Sequence, residues 1–253
     1  MASDIVITSD STTDLSPELR ERYNISVAPL GITLGDKVYT DGVDITPDDI
    51  YAHHAKTGEL PKTTATNVGD CLDFFKKFTD EGKTVIHFTI SSDMSSTYNN
   101  ACIAASELEN VYVIDTKNLS TGGGLLVVAA AEMLRDGLSA EEIVRKSTEL
   151  IPCVDASFVI DSLEYLYKGG RCSALAMFGA NLLKLKPCIQ VKNGKMDVSK
   201  KYRGKFEDVL KQYITEKAED YSDIVLDRVF ITHAGCDPEV AKNAAELAKK
   251  LAP

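Results

Sequence analysis

The sequence lacks any apolar run long enough to span a bilayer. No stretch of about 18 apolar residues occurs among its 253 residues, so no membrane-spanning helix and no stable membrane insertion are predicted. It also lacks an excess of positive charge, since its formal net charge is -10. An acidic surface repels phosphate backbones and anionic lipid headgroups, which disfavours nucleic acid and membrane surfaces as partners. The acidic start at Asp4 lacks the basic and apolar regions of a signal peptide, which predicts a cytoplasmic protein.

The motifs of several enzyme classes are also missing. There is no Walker loop, and the glycines at 122–124 lack the spacing of a dinucleotide-binding loop. No Gly-x-Ser-x-Gly elbow occurs, which argues against the common type of serine hydrolase. The six cysteines form no CxxC pair and are expected to be reduced and mostly buried. The four histidines lack zinc-binding spacing, and His87, inside a predicted strand, is expected to be a core residue. No metal and no cofactor are expected.

What the sequence contains is the pattern of a folded α/β protein. Hydrophobic residues make up 44 % and charged residues 26 % of the chain. Strand and helix signals alternate over the first part, which predicts a three-layer α/β/α domain with a mainly parallel sheet over residues 1–152. Over residues 153–253 the pattern changes to that of a two-layer α/β domain with a mixed sheet. The individual predictions include strands at 25–34, 84–90 and 111–116, a loop at 61–67 and a helix at 125–134.

The second domain carries the strongest short hairpin signal in the chain. Asn193-Gly194 stands between two apolar segments, and Asn-Gly is the preferred pair for a two-residue hairpin turn. A strand at 228–233 and a helix at 238–251 are predicted after it. A boundary near residue 152 therefore separates two α/β domains.

The most informative segment, residues 90–101, follows a predicted buried strand and opens a helix. Ligands of open α/β sheets bind at this strand-to-helix edge. A helix start offers unpaired N–H groups and partial positive charge, so an anion can bind there, and the hydroxyls of Ser95 and Ser96 would add donors. The alternative is that Ser91, Ser92 or Asp93 simply caps the helix. Both interpretations remain open on these residues alone.

Two further loops are rich in hydroxyl groups. Residues 62–67, which include Thr63, lie between two predicted helices, and such loops are usually solvated turns. Residues 9–14 follow the first strand, but Asp10 and Asp14 would repel an anion. This second loop is therefore predicted to brace its neighbours rather than to bind a ligand.

Taken in order, these segments resemble those of a known family along almost the whole chain. Each motif is weak alone, but their order and spacing make the match specific. The matching segments are residues 9–15, 62–64, 90–101, 113–116, 162–173, 186–187 and 202–205. On these motifs the chain resembles the DegV family of bacterial fatty-acid-binding proteins.

The resemblance implies a function and its residues. It implies a carrier, not an enzyme, that holds one long-chain fatty acid in a tunnel between its two domains. A separate fatty acid kinase would phosphorylate the carboxylate on this carrier. Carried over by motif, the hydroxyls of Thr63 and Ser95 and the backbone N–H of Ser96 would bind the carboxylate. Arg171 and Arg203 would dock the kinase, although without the resemblance they read as ordinary surface charge.

The sequence departs from the family pattern in two places. Ser96 stands where the family usually has glycine, which places a side chain beside the carboxylate. Family members usually continue past the last helix to a strand and a His-Thr-Gly motif that helps to close the headgroup site. The sequence ends at Pro253, so the domain at 153–253 is expected to lack its last segment.

Two other functions fit the same residues. One is a hydrolase or phosphotransferase that uses a hydroxyl of Ser95 or Thr63, although the sequence offers no convincing base for such a nucleophile. The other is a binding module for a small phosphorylated metabolite at the same helix start. That module would have a polar, shallow pocket instead of an apolar tunnel.

Overall fold

The computed structural model describes residues 4–173, 185–220, 225 and 228–251. The chain divides into two compact units. The first comprises residues 1–156 with 191–195, and the second comprises residues 157–190 with 196–253. The domain boundary after residue 152 remains a prediction, and the first division between the compact units falls four residues later.

The first unit alternates strands with helices as the sequence pattern predicts. Its strands are β1 (Ile5–Asp10), β2 (Ser26–Ala28), β3 (Gly31–Leu34), β4 (Lys37–Thr40), β5 (Lys62–Thr64), β6 (Thr84–Thr89) and β7 (Val111–Asp115). Its helices are α1 (Pro17–Tyr23), α2 (Pro47–Thr57), α3 (Val68–Thr79), α4 (Thr97–Ala105), α5 (Ser120–Arg135) and α6 (Ala140–Leu150). Short 3-10 turns lie at Ser11–Thr13 and Ile151–Cys153.

The main sheet of this unit has the strand order β2-β1-β6-β7, and all its neighbouring strands are parallel. Parallel strands need cover on both faces, and the side chains of Val85, Ile86 and Phe88 are completely buried. Helices α3 and α4 pack around Val6 and Val85, while α5 and α6 contact β1, β6 and β7. The predicted α/β class with a parallel sheet is confirmed.

A second, antiparallel sheet has the order β4-β3-β5. The prediction of one strand over residues 25–34 is wrong, because β2 pairs with β1 whereas β3 pairs with β4 and β5. Pro29 lies between β2 and β3 and has no N–H to continue a ladder. The predicted loop at 61–67 contains β5, whose three residues are all exposed, so no apolar alternation marks it as a strand.

Helix α5 starts five residues before its predicted beginning at residue 125, because its glycines lie inside the helix. A Cβ atom on Gly124 would lie 2.9 Å from the carbonyl oxygen of Thr13 and 3.0 Å from the Leu15 side chain. Glycine weakens a helix by roughly 1 kcal/mol relative to alanine. Here it allows the helix to approach the turn that follows β1.

The second unit contains β8 (Ala156–Val159), α7 (Glu164–Gly169), β9 (Lys186–Lys192), β10 (Lys195–Tyr202), α8 (Phe206–Asp220) and α9 (Pro238–Leu251). Its sheet has the order β10-β9-β8, and Cys188, Tyr202 and Val209 form its buried cluster. The predicted Asn193-Gly194 turn is confirmed, and both residues have positive φ, at 50° and 82°.

One predicted strand of this unit is wrong. Residues 228–233 form no strand, and Val229 and Ile231 are 53 % and 48 % exposed. An apolar run becomes a strand only beside a partner, and this segment pairs with no described strand. None of the described helices is both long and apolar enough to cross a membrane.

Candidate ligand-binding site

The loop of residues 90–96 joins β6 to α4 at the carboxyl end of the main sheet. Its shape is fixed by backbone hydrogen bonds, because the N–H groups of Met94 and Ser95 both donate to the carbonyl of Ser91, at 2.9 and 3.1 Å. The N–H of Ser91 donates to the carbonyl of Asn118 at 2.9 Å. The 90–96 loop is therefore a tight, anchored turn at the edge where α/β proteins bind ligands.

Ser95 stands one residue before Ser96, the N-cap of α4, which makes no side-chain capping hydrogen bond. The half-buried hydroxyl of Ser95 accepts the N–H of Thr97 at 3.2 Å and lies 2.9 Å from the Thr97 hydroxyl. The alternative in which Ser91, Ser92 or Asp93 caps α4 is therefore wrong, because the N-cap is Ser96, three to five positions later. Ser96 is exposed, and within the described residues its backbone N–H has no acceptor. The Ser95 hydroxyl hydrogen can point at a ligand when the Thr97 hydroxyl donates its own.

Asp10 fastens the beginning of the 90–96 loop. One carboxylate oxygen accepts the N–H of Ile90 at 2.7 Å, and the other accepts the N–H and hydroxyl of Thr12 at 3.1 and 2.5 Å. Burial raises the pKa of this carboxyl to about 6 despite these hydrogen bonds. The predicted bracing role of residues 9–14 is confirmed.

Lys117 and Asp115 hold the middle of the loop. The Asp115 carboxylate accepts the N–H of Ser92 at 3.2 Å, and it pairs with the Lys117 ammonium at 3.0 Å. The same ammonium lies 3.0 Å from the Asp93 carboxylate and 2.8 Å from the Ser92 hydroxyl. The hydrogen bond from Lys117 holds the pKa of Asp93 below its usual value. The Lys117 ammonium is therefore engaged in holding the loop and is not displayed to a ligand.

Thr63 lies on the second sheet of the same unit. It is an exposed residue of β5, opposite Ile32 of β3. The chain that follows β5 reaches α4, because the side-chain amide of Asn100 donates to the carbonyl of Thr66 at 2.9 Å. The Thr66 hydroxyl is buried and has no partner among the described residues. The Thr63 segment and the first turns of α4 are therefore joined directly, as a shared headgroup site would require.

The two candidate docking arginines lie in the second unit. Both are exposed, and Arg171 donates to the carbonyl of Gly169 at 2.7 Å, at the end of α7. Arg203 follows β10. Exposure is compatible with a docking role, which remains a prediction.

The histidine prediction is confirmed for His87. Its ring is buried beside Phe75, with 5.0 Å between ring centroids, and its Nδ1 lies 2.8 Å from the Thr8 hydroxyl. Burial lowers the pKa of His87 to about 3. Within the described ranges, no three His, Cys, Asp or Glu side chains come together as a possible metal site.

A groove of about 310 Å³ lies in the second unit, beside β9, β10 and α8. Its lining is dominated by polar groups: the Glu216 carboxylate accepts from the Tyr202 hydroxyl at 2.5 Å and pairs with Lys200 at 2.7 Å. The hydrogen bond from Lys200 lowers the pKa of Glu216 to about 2. Such a lining does not suit an alkyl chain.

A family model described as "Uncharacterised protein, DegV family" matches residues 4–253. The chain belongs to the DegV family. A DegV domain-containing protein of Clostridium perfringens is 35 % identical over 202 residues, which cover 79 % of this chain and 72 % of the relative.

Solved DegV structures share this fold. A DegV family protein from Thermus thermophilus, described for its fatty acid binding, superposes with a TM-score of 0.79 at 30 % identity, covering 87 % of this chain and 78 % of its own. A stearic acid-binding protein from Eubacterium ventriosum superposes with a TM-score of 0.74 at 34 % identity, covering 85 % and 78 %. These DegV neighbours bind fatty acids.

Several residues that shape the site in this DegV protein were missed by sequence reasoning. Asn100 joins the two hydroxyl-rich segments, Lys117 holds the loop, and Gly194 contacts Ser91 of this loop from 103 residues further along the chain. Each acts through a contact distant in sequence, for which neither periodicity nor a motif gives a signal. Only the position of Lys117 just after a strand could have directed attention to it.

Proposed function

We propose that this protein carries one long-chain fatty acid, with the carboxylate bound at the start of α4, and presents it to a fatty acid kinase. The observation that carries the proposal is the likeness to the fatty-acid-binding DegV structures at 30 % and 34 % identity. In this proposal the chain performs no chemistry of its own. It acts without a cofactor, in the cytoplasm.

The geometry at α4 supports an anionic headgroup. The N–H of Ser96 and the hydroxyl of Ser95 lie at a helix start, where the helix dipole favours negative charge. The Lys117 ammonium is already paired with Asp93 and Asp115, so the site would neutralise a carboxylate only weakly. A group held by N–H and hydroxyl donors stays accessible to a second protein that must phosphorylate it.

The alkyl tail and the carboxylate contribute differently to binding. Burial of hydrocarbon contributes about 0.8 kcal/mol per methylene, so a long chain supplies roughly 10 kcal/mol. A hydrogen bond to the charged carboxylate contributes only about 1.5–3 kcal/mol before desolvation costs. The tail therefore sets affinity, while Thr63, Ser95 and Ser96 set the position of the carboxylate. Exposed Arg171 and Arg203 are the proposed contacts with the kinase.

The proposal is tested first by mass spectrometry of the purified protein, native and then after organic extraction. We expect one fatty acid for each chain. A protein that carries none and takes up none when stearic acid is added would contradict the proposal. Hydrolysis of a generic acyl ester by the purified chain, abolished in Ser95→Ala, would favour a hydrolase instead.

Replacement of Ser95 by alanine should impair phosphorylation more than retention. The variant loses one donor to the carboxylate and the acceptor of the Thr97 N–H at the start of α4, whereas the tail contacts remain. We expect retention of stearic acid to fall about fivefold, and acyl phosphate formation by a fatty acid kinase to fall well over tenfold.

The matched control is Ser16→Ala, which removes a serine cap from α1. Ser16 accepts the N–H of Leu19 at 3.3 Å, so its loss should lower stability in the same way without touching the ligand. Equal losses of retention and turnover in Ser95→Ala would show that the head and tail do not divide the work as proposed.

A further inference from the structure

The tip of the β9–β10 hairpin, residues 191–195, belongs to the first compact unit and contacts the 90–96 loop. The hydroxyl of Ser91 donates to the carbonyl of Gly194 at 2.7 Å, and Ser91 is completely buried. The same Ser91 oxygen accepts the N–H of Asp93 at 3.2 Å. One buried hydroxyl thus ties the hairpin tip to the turn that leads into Ser95.

The contact leaves no space for a side chain on the tip. A Cβ atom on Gly194 would lie 2.7 Å from the Ser91 hydroxyl, 2.7 Å from the Asp93 carboxylate and 2.9 Å from the Lys117 side chain. These three atoms belong to the groups that fix the loop. The tip is therefore packed against Ser91, Asp93 and Lys117, the residues that hold the loop in place.

Charge reinforces the contact. The ammonium of Lys195 lies 3.6 Å from the Asp93 carboxylate, which also pairs with Lys117 at 3.0 Å. Asp93 is thus held between one lysine from the tip and one from the segment after β7. Because the loop is bound from both sides, displacement of the tip would remove one of the two sets of contacts that hold its central residues.

We propose that the hairpin tip is a positioning element for the headgroup site, in which Gly194 and Ser91 hold the 90–96 loop in its ligand-binding shape. The tip does not touch the ligand carboxylate; it acts through the loop that carries Ser95 and Ser96. This inference rests on the proposed fatty acid site and adds Gly194, which lies outside the family motifs, to it. Its consequence is that headgroup recognition depends on the hairpin.

Gly194→Ala tests the proposal, with Gly137→Ala as its matched control. Gly194 has φ of 82° and Gly137 has φ of 87°, so alanine meets the same backbone strain at both positions. A Cβ atom on Gly137 has no neighbour within 4 Å. The two variants therefore differ in the contact with the loop and not in the kind of turn that they disturb.

Two probes separate the headgroup from the tail: stearic acid, and methyl stearate, which lacks the carboxylate. We expect Gly194→Ala to weaken binding of the acid at least tenfold and of the ester less than twofold, and Gly137→Ala to change neither by more than twofold. A general loss of structure would weaken both probes alike. Equal loss of acid and ester, or an acid affinity matching that of Gly137→Ala, would overturn the proposal.

Hydrogen exchange provides a readout that does not depend on the ligand. The amides of residues 90–96 should exchange at least tenfold faster in Gly194→Ala than in Gly137→Ala, and unchanged exchange would refute the role of the tip. A wild-type chain that binds neither probe would refute the proposed function alone, since the exchange comparison still decides the positioning claim.

A double variant tests whether the two residues act together. If Gly194→Ala already breaks the bond to Ser91, then the loss of acid binding in the double variant should be smaller than the product of the two single losses. Losses that multiply would show that the two residues act independently and would contradict the proposed contact.

Discussion

Replacement of His87 by glutamine should remove an acid-induced decrease of about 5 kcal/mol in the free energy of unfolding of this protein. The buried ring has a pKa of about 3, compared with its ordinary value of 6.5. Each unit of pKa corresponds to about 1.4 kcal/mol. Burial is the cause, because the imidazolium would lie among Phe74 and Phe75 without water.

The direction follows from proton binding. Above pH 6.5 the ring is neutral in both states and His87 contributes no pH dependence. Between pH 6.5 and about 3 only the unfolded state binds the proton, so the free energy of unfolding falls as the pH falls. Glutamine does not titrate, and its amide can still bond to the Thr8 hydroxyl.

Urea unfolding at about pH 7.5 and about pH 5 measures the effect. Between these values the wild type should lose about 2 kcal/mol more than His87→Gln. His233→Gln is the control, because His233 is exposed and should leave the wild-type pH dependence unchanged. Parallel behaviour of His87→Gln and the wild type would show that His87 is not held neutral by burial.

The second large contribution to the pH dependence of stability is expected from Asp10, and its sign is opposite to that of His87. The folded-state pKa of Asp10 is about 6 against an ordinary 3.8, a difference of about 3 kcal/mol. Below pH 3.8 the carboxyl is protonated in both states. Between pH 3.8 and about 6 only the folded state keeps the proton, so the free energy of unfolding falls as the pH rises.

In wild type, the titration of Asp10 should lower the free energy of unfolding by about 2 kcal/mol between pH 4 and pH 7, and Asp10→Asn should remove this decrease. The asparagine oxygen cannot serve Thr12 and Ile90 together as the two carboxylate oxygens do, so a constant loss of about 1–3 kcal/mol is also expected. Asp73→Asn, at an exposed position on α3, is the control. A pH profile shared by Asp10→Asn and the wild type would contradict the assignment.

Local signals allowed much of the fold to be predicted. Ser16 and Pro17 predicted the start of α1, and the structure shows Ser16 as its cap with Pro17 in the first turn. Asn193-Gly194 predicted the hairpin because its conformational preference lies within the two residues themselves. The loop that carries Ser95 was located because a strand followed by a helix places it at the carboxyl edge of the sheet.

The remaining features depend on partners distant in sequence. Residues 25–34 divide between two sheets, and the available strand edges, which the segment itself does not encode, decide this. The glycines of α5 read as a loop until Thr13 is found against Gly124. Ser91 and Gly194 are 103 residues apart, and no pattern within either segment predicts their contact.

The order of the main sheet also sets when this protein can begin to fold. Strand β1 pairs with β6 in a register that joins Ile5 to Thr84, so its central partner is synthesised 79 residues later. At about 5–20 residues per second, a ribosome needs on the order of 4–16 s to supply it. During that interval the apolar residues of β1 lack their central neighbour, so the nascent chain should depend on chaperones most before β6 emerges.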